Sequence, residues 1–185
     1  MTHKAMMKLK HLSPTKIKHM SKRSSRGPSY LADQAMNAYK PTGFWTSVGD
    51  AWKNFLLFDY NGRYDNGVYE YEILIPKSQI LVVEPKHLGA CEVDYKGYIP
   101  KKTLLDVAET LGYKAIYINE EMIRKYNHLA NWDVESVVVN NKYIDIVEKK
   151  LIKHYDKYEW AFLEKWLSMD NMDLWDAYSD NKKEE

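Results

Sequence analysis

The sequence predicts an α+β fold built on a mostly antiparallel sheet, and three observations lead to that prediction. Apolar residues alternate with period two in several short segments, which is typical of strands with one buried face. Other segments carry apolar residues at helical spacing. The two kinds of segment follow one another without the regular alternation that produces a parallel sheet. We therefore expect a single domain over residues 1–185, with helices flanking the sheet.

Each predicted element is bounded by residues that favour its ends. Pro14 ends the regular pairing of the first strand, because proline lacks the backbone N–H that a ladder needs. Ser47 with Asp50 resembles a helix N-cap, and Gly112 favours a helix C-terminus. The predicted strands are residues 8–13, 43–47, 68–75, 79–84, 113–118, 135–139 and 143–147. The predicted helices are residues 51–56, 103–111, 120–126 and an aromatic amphipathic segment within 154–180.

Charge is unevenly distributed along the chain, although the formal net charge is only +1. Residues 1–32 contain eight lysines or arginines and no acid, whereas residues 169–185 contain six acids and two lysines. A basic segment can bind the phosphates of a nucleotide or a nucleic acid. The plainer interpretation is a solvated arm that pairs with the acidic tail. Residues 1–30 thus form a basic N-terminal segment that includes the first strand, and any nucleic-acid contact is expected through the basic residues of 4–26.

Several functional classes are disfavoured by what the sequence lacks. Apolar runs such as residues 80–83 and 137–139 are far shorter than the roughly 18 residues of a membrane-spanning helix, so we expect no membrane partner. Cys91 is the only cysteine, which excludes an intramolecular disulfide and a cysteine-based zinc site. We expect no metal and a reducing, cytoplasmic location. Motifs of the GxGxxG, GxxxxGK, GxSxG and HExxH types do not occur.

Three short segments carry the residues with the most evident chemical potential. His11 lies in the first predicted strand, Trp45 lies in the second, and Glu135 opens the apolar run ESVVV. Taken singly, each has an ordinary interpretation as a structural histidine, a core aromatic residue or a solvated strand end. Their order along the chain is more informative than any one of them.

That order resembles the three-motif pattern of the ADP-ribosyltransferase family, in particular the His-aromatic-Glu branch of diphtheria toxin and poly(ADP-ribose) polymerases. The branch has His before a small residue on a first strand, then a Gly-hydrophobic-aromatic strand, and finally Glu before a Val-Val-X-Asn type of run. The matching residues are His11-Leu12-Ser13, Gly43-Phe44-Trp45-Thr46-Ser47 with Ala51 and Trp52, and Glu135-Ser136-Val137-Val138-Val139-Asn140. Leu12 replaces a frequent Gly and Trp45 replaces the usual Tyr. The resemblance spans roughly residues 8–147.

The resemblance implies an ADP-ribosyltransferase type of sheet and an enzyme that transfers ADP-ribose from NAD. Its catalytic residues would be Glu135, His11 and Trp45. Breaking the bond to nicotinamide develops positive charge on the ribose, and a carboxylate that holds a ribose hydroxyl stabilises that charge. His11 would position NAD through a ribose hydroxyl. We expect His11 and Glu135 on adjacent central strands, facing one cleft with Trp45.

Further contacts to NAD are implied around the same three motifs. The ring of Trp45, with Trp52 or Phe55 beside it, would stack on nicotinamide and exclude water. Ser47 would bond the carboxamide. The remaining expected NAD contacts are Leu12 and Ser13 next to His11, and Arg23 and Arg26 at the pyrophosphate.

The acceptor of ADP-ribose is left open between protein and nucleic acid, because in this family it is determined by loops that differ freely. The small size is typical of a phage effector or a toxin. Two other functions remain open on the same fold: an NAD-dependent RNA 2′-phosphotransferase, and a non-catalytic module that binds nucleic acid or protein.

Overall fold

A sheet of seven strands organises the chain, which is described by a computed structural model over residues 4–20, 38–58, 66–94, 100–130 and 132–168. The strands are β1 Met6–Ser13, β2 Phe44–Ser47, β3 Val68–Pro76, β4 Ile80–Val82, β5 Glu92–Val93, β6 Pro100–Lys102, β7 Ala115–Ile118, β8 Ser136–Val139 and β9 Glu148–Tyr155. The large sheet has the order β4-β7-β8-β2-β1-β3-β9, and β5 and β6 form a separate pair. The fold is therefore α+β.

Most neighbouring strands of this sheet are antiparallel. Strands β4 and β7 run parallel, whereas β7-β8, β8-β2, β2-β1, β1-β3 and β3-β9 are antiparallel pairs. The mostly antiparallel sheet predicted from the sequence is thus confirmed. No helix within the described ranges is long and apolar enough to span a bilayer.

The helices are short and lie beside the sheet. They are α1 Ala51–Phe58, α2 Pro85–Gly89, α3 Leu104–Thr110, α4 Glu120–Lys125 and α5 Lys157–Ser168, with 3₁₀ turns at Lys77–Gln79, Asn127–Leu129 and Asn141–Ile146. Thr103 caps α3 by accepting the Asp106 N–H at 3.3 Å, and Gly112 follows that helix with φ of 86°. A positive φ suits glycine, which has no Cβ to clash, so the predicted stop after this helix is confirmed.

Apolar side chains fill both sides of the sheet in three clusters. One cluster packs α2, α3 and α4 against β4, β7 and β8, with Trp132 and Val138 fully buried. A second lies on the other side of the sheet and includes Phe44, Tyr71 and Val137. A third joins α1 and α5 to β1 and β3, around Leu12 and Trp160. Both faces of the central strands are therefore covered, which fixes the side of the sheet to which each site residue belongs.

The backbone at Gly43, just before β2, lies close to the end of β8. A Cβ at Gly43 would lie 2.6 Å from Val138 Cγ1 and 2.6 Å from the Val139 carbonyl oxygen. The Thr46 hydroxyl donates to the Val137 carbonyl oxygen at 2.8 Å. Glycine at position 43 thus has a packing reason, because any larger residue would push the two strands apart.

Two segments near the C-terminus differ from the sequence-based expectation. Residues 143–147, expected as a strand, largely form the 3₁₀ turn Asn141–Ile146, because the Asn140 side chain accepts the Lys142 N–H and starts a turn. Residues 154 and 155, expected in the terminal helix, belong to β9. That helix begins at Lys157, and positions 169–180 lie outside the described residues.

Candidate active site

His11 is buried in β1 and is held by the neighbouring strand. Its Nδ1 atom lies 2.7 Å from the Trp45 carbonyl oxygen. Because a carbonyl oxygen can only accept, Nδ1 carries the proton, and in the neutral ring Nε2 is left as an acceptor. Burial lowers the pKa of His11 to about 4. The imidazole is therefore neutral at physiological pH, which suits the binding of a hydroxyl rather than general acid–base catalysis.

Glu135 immediately precedes β8, and hydrogen bonds hold both its backbone and its side chain. Its carbonyl oxygen accepts the Val48 N–H at 3.2 Å, which ties the end of β2 to the start of β8. Its carboxylate accepts a hydrogen bond from the Tyr117 hydroxyl through Oε1. The side chain is half-buried. The carboxylate is thus oriented by the protein, and its second oxygen is left for another donor.

Strand alternation places His11 and Glu135 on the same side of the sheet. Thr46 pairs with Val137, and Val137 pairs with Tyr117, so these three side chains share one face. Glu135 is two residues before Val137 and contacts Tyr117, which puts it on that face. The His11 ring lies 4.5 Å from the Phe44 ring, on the same side. We call this side, with His11, Phe44, Thr46, Tyr117 and Glu135, the His11 face.

The strand relationship differs from the expectation in one respect. We expected His11 and Glu135 on adjacent strands, whereas β2 lies between β1 and β8. The reason is that β2 pairs with both neighbours, through Lys10↔Ser47 on one side and Ser47↔Ser136 on the other. The His11 motif on β1 and the Glu135 motif at the start of β8 therefore lie on either side of the Trp45 motif on β2.

The ring of Trp45 lies on the opposite side of the sheet. Trp45 pairs with Val138, packs against the cluster of α2, α3 and α4, and stacks obliquely on Trp132 at 4.6 Å. The Lys40 ammonium lies 5.6 Å from the Trp45 ring centroid. Residues of one strand alternate between faces, so the ring does not share the His11 face. The part of Trp45 that reaches His11 is its carbonyl oxygen.

The other aromatic and serine candidates are also away from the His11 face. Trp52 and Phe55 stack on each other at 5.1 Å on α1, and Trp52 packs against the cluster around Leu12. Ser47 is buried, and it alternates with Thr46 onto the Trp45 side. The structure therefore does not bring the expected aromatic wall and serine together with His11.

The remaining expected NAD contacts fall into two groups. The Leu12 side chain is buried among apolar residues of α1 and α5, and the Ser13 hydroxyl donates to the Thr15 carbonyl oxygen at 2.7 Å, which shapes the turn after β1. Arg23 and Arg26 lie outside the described residues. Leu12 and Ser13 thus have structural roles, the first in the core and the second in the turn after β1.

A buried charge network that sequence reasoning missed lies next to β1. The Glu70 carboxylate is 4% exposed and lies 3.2 Å from Lys10 Nζ and 3.3 Å from Lys53 Nζ. The Tyr155 hydroxyl donates to its other oxygen at 3.0 Å. Although burial opposes it, the hydrogen bond to Asp50 and the charge of Glu70 raise the pKa of Lys53. Every group is paired, so the network anchors α1 to β1 and β3.

Other chemically active groups in the described residues lie away from the His11 face. Burial raises the pKa of the Cys91 thiol to about 11, so it is not a thiolate nucleophile at neutral pH. No three His, Cys, Asp or Glu side chains of the described ranges are grouped as metal ligands would be. A groove of about 750 Å³ beside β4 is lined by residues such as Leu81, Lys86, His87 and Tyr113, and it includes neither His11 nor Glu135.

Comparisons of the chain with protein-family models, with curated proteins and with solved structures find no match. The assignment of a function therefore depends on the geometry of the His11 face and on the motifs that it brings together.

Proposed function

We propose that this protein transfers ADP-ribose from NAD to a macromolecular acceptor and releases nicotinamide. One observation carries the proposal. His11 and Glu135, from two motifs far apart in the sequence, lie on one face of the sheet and are each held by a protein hydrogen bond. Each keeps a second polar atom for a ligand, namely Nε2 of His11 and Oε2 of Glu135. Two oriented acceptors on one face suit a substrate that carries hydroxyl groups.

His11 has the properties that the positioning role requires. A neutral ring with Nδ1 donating to the Trp45 carbonyl oxygen presents Nε2 as an acceptor to a ribose hydroxyl. Because burial lowers its pKa to about 4, the ring is not protonated at neutral pH and does not lose this acceptor. Trp45 enters the proposed site through its carbonyl oxygen rather than through its ring.

Glu135 supplies the charge that the transition state needs. The bond between C1′ of the ribose and the nicotinamide nitrogen breaks, and nicotinamide leaves with the electron pair. Positive charge develops on the ribose, and the carboxylate, bonded to a ribose hydroxyl, stabilises it. A nucleophilic atom of the acceptor then bonds to C1′, and its proton passes to solvent. No step requires a metal or an external oxidant.

The type of sheet and the cellular location of the reaction belong to the same proposal. We assign the sheet to the ADP-ribosyltransferase type because the three motif segments lie on β1, on β2 and at the start of β8, which are consecutive in the sheet. The stacking of nicotinamide on Trp45, Trp52 or Phe55 stays a prediction. It is disfavoured because strand alternation turns the Trp45 ring away from the His11 face and because the other two rings stack on each other on α1. We place the reaction in the cytoplasm, where a lone cysteine stays reduced.

Release of nicotinamide from NAD tests the proposal directly. The purified protein should liberate nicotinamide, and Glu135→Gln should lower the rate on the order of 10²- to 10³-fold, as loss of one charge-stabilising group does elsewhere. Glu121→Gln, which changes an exposed glutamate of α4, is the matched control and should keep the parental rate. A Glu135→Gln rate within about threefold of the parent would exclude the charge-stabilising role.

The acceptor is found with labelled NAD in a cell extract. Label that protease releases identifies a protein acceptor, and label that nuclease releases identifies a nucleic acid. Binding of nucleic acid without any release of nicotinamide would instead support the non-catalytic binding module. Release of nicotinamide that depends on a 2′-phosphorylated RNA would support the phosphotransferase.

A further inference from the structure

We propose that Tyr117 is a positioning residue for Glu135, and this inference rests on the proposed function. Tyr117 belongs to none of the three motifs that predict the site. Its hydroxyl donates to Oε1 of Glu135, so it acts on the substrate only through that carboxylate.

The sheet holds Tyr117 in register with Glu135. Tyr117 pairs with Val137 in the antiparallel β7-β8 ladder, and its side chain therefore leaves the same face as Val137 and Glu135. Its carbonyl oxygen accepts the Val83 N–H at 2.9 Å, which fixes its backbone on the other side. The ring is half-buried beside the apolar cluster of Phe44. Tyr117 thus presents its hydroxyl from a rigid central strand rather than from a loop.

The hydrogen bond divides the two oxygens of the carboxylate between two tasks. A hydrogen bond to an ionised acceptor is stronger than one between neutral groups. With Oε1 occupied by the phenol, the carboxylate plane is fixed and Oε2 is aimed at a single position. In the reaction, Oε2 receives the ribose hydroxyl while Tyr117 keeps the side chain from rotating. Such preorganisation acts mainly on the transition state, because a small misplacement of a catalytic group lowers the rate strongly.

A pair of tyrosine-to-phenylalanine variants tests this role. Tyr117→Phe keeps the ring and removes the hydroxyl. Tyr143→Phe is the matched control, because the Tyr143 hydroxyl also donates to a glutamate, Glu109, at 2.8 Å but away from the His11 face. We expect Tyr117→Phe to lower kcat about 10- to 100-fold with KM within about twofold, and Tyr143→Phe to leave both constants unchanged.

A double-mutant cycle separates positioning from a structural effect. In the Glu135→Gln background, Tyr117→Phe should cause no further loss of kcat beyond about twofold, since the group it positions has already lost its charge. A merely structural role would give the same fold-loss in both backgrounds and would overturn the inference. If Tyr117→Phe does not fold, 3-fluorotyrosine at position 117 keeps the hydroxyl. Its ¹⁹F resonance should shift with Glu135→Gln but not with Glu109→Gln, and no shift would overturn the inference.

The outcomes also distinguish this inference from the proposed function. If the parent protein releases nicotinamide and Tyr117→Phe does so at the parental rate, the role of Tyr117 is wrong while the proposed function stands. If the parent releases no nicotinamide under any acceptor condition, both are wrong.

Discussion

His11 Nδ1 lies 2.7 Å from the carbonyl oxygen of Trp45, 34 positions further along the chain. This bond joins β1 to β2 where the two strands share the backbone partners Lys10 and Ser47. One interaction therefore has two effects, because it holds the centre of the sheet together and it leaves Nε2 of the neutral His11 ring as the acceptor.

Stability should fall in mild acid because His11 is buried in its neutral form. Its pKa is about 4 in the folded chain, against 6.5 for an ordinary histidine. The unfolded chain therefore binds a proton first as the pH falls, so the stabilisation is complete above pH 6.5 and is lost as the pH falls towards 4. We expect a loss of about 2 kcal/mol in the free energy of unfolding between pH 8 and pH 5 from this residue.

Urea denaturation of the parent and of His11→Asn at several pH values measures this effect. The variant should be less stable at pH 8 and should lose less stability on acidification. Ser78→Ala, a change at an exposed residue that does not titrate, is the control and should keep the parental dependence. Parallel curves for the parent and His11→Asn would contradict the prediction.

Gly43→Ala should destabilise the chain by forcing β2 away from β8. The added methyl group would lie 2.6 Å from both Val138 Cγ1 and the Val139 carbonyl oxygen. Overpacking of this kind costs about 1–3 kcal/mol. Gly89→Ala is the matched control, since its methyl group would meet nothing within 4 Å. Equal urea midpoints for the two variants would show that β2 and β8 have room to separate.

Removal of the Glu70 carboxylate should cost far more than removal of its neighbour on β3. Glu70 is 4% exposed and pairs with Lys10 and Lys53, whereas Glu72 pairs with Lys8, whose side chain is 71% exposed. We expect Glu70→Gln to lose about 2 kcal/mol, because the charge-assisted hydrogen bonds to Lys10 and Lys53 become weaker inside the protein. The aspartate of the network, Asp50, still pairs with both lysines. Glu72→Gln should lose less than about 1 kcal/mol. Similar unfolding free energies for the two variants would show that the network is not insulated from water.

The basic N-terminal segment should confer salt-dependent binding if the acceptor is a nucleic acid. Lys4, Lys16 and Lys18 are exposed. Each of these lysines that binds a phosphate should, when it is changed to Gln, reduce the salt slope by about one unit. RNA and DNA binding across a salt series measures this slope. The control variant changes three exposed lysines elsewhere, namely Lys86, Lys101 and Lys125. Absence of binding to either nucleic acid at low salt would end the nucleic-acid hypothesis.

The elements that local sequence determines were predicted closely. Alternation in VYEYEILI predicts β3, and helical spacing over residues 103–111 with Gly112 after it predicts α3, because these signals act over a few residues. Strand β9 was not predicted, since lysines occupy both of its faces at the edge of the sheet. Lysine is common on such edges, where it prevents pairing with other chains. Consecutive lysines also remove the alternation of apolar and polar residues by which a strand is predicted.

The candidate site was predicted in its motifs but not in its geometry. Short motifs led to His11 and Glu135, whose shared face depends on register across three strands. A change of register by one residue would reverse the faces, so the side of the sheet on which the Trp45 ring lies could not be read from spacing. Tyr117 was missed because its partner is 18 positions away. The available signal was its position in the predicted strand YKAIYI, where it shares a face with Ala115.

The bond between the Thr46 hydroxyl and the Val137 carbonyl oxygen spans 91 positions and bears on the order in which the chain folds. Pairing over such a separation has to overcome the entropy of closing a long loop, so it is slow compared with the formation of hairpins and helices. During synthesis β2 emerges from the ribosome well before β8, its principal partner along the whole strand. The apolar segment GFW thus lacks its partner strand β8 until that strand has been synthesised. We expect refolding yield to fall as chain concentration rises, because intermolecular association competes with this late pairing.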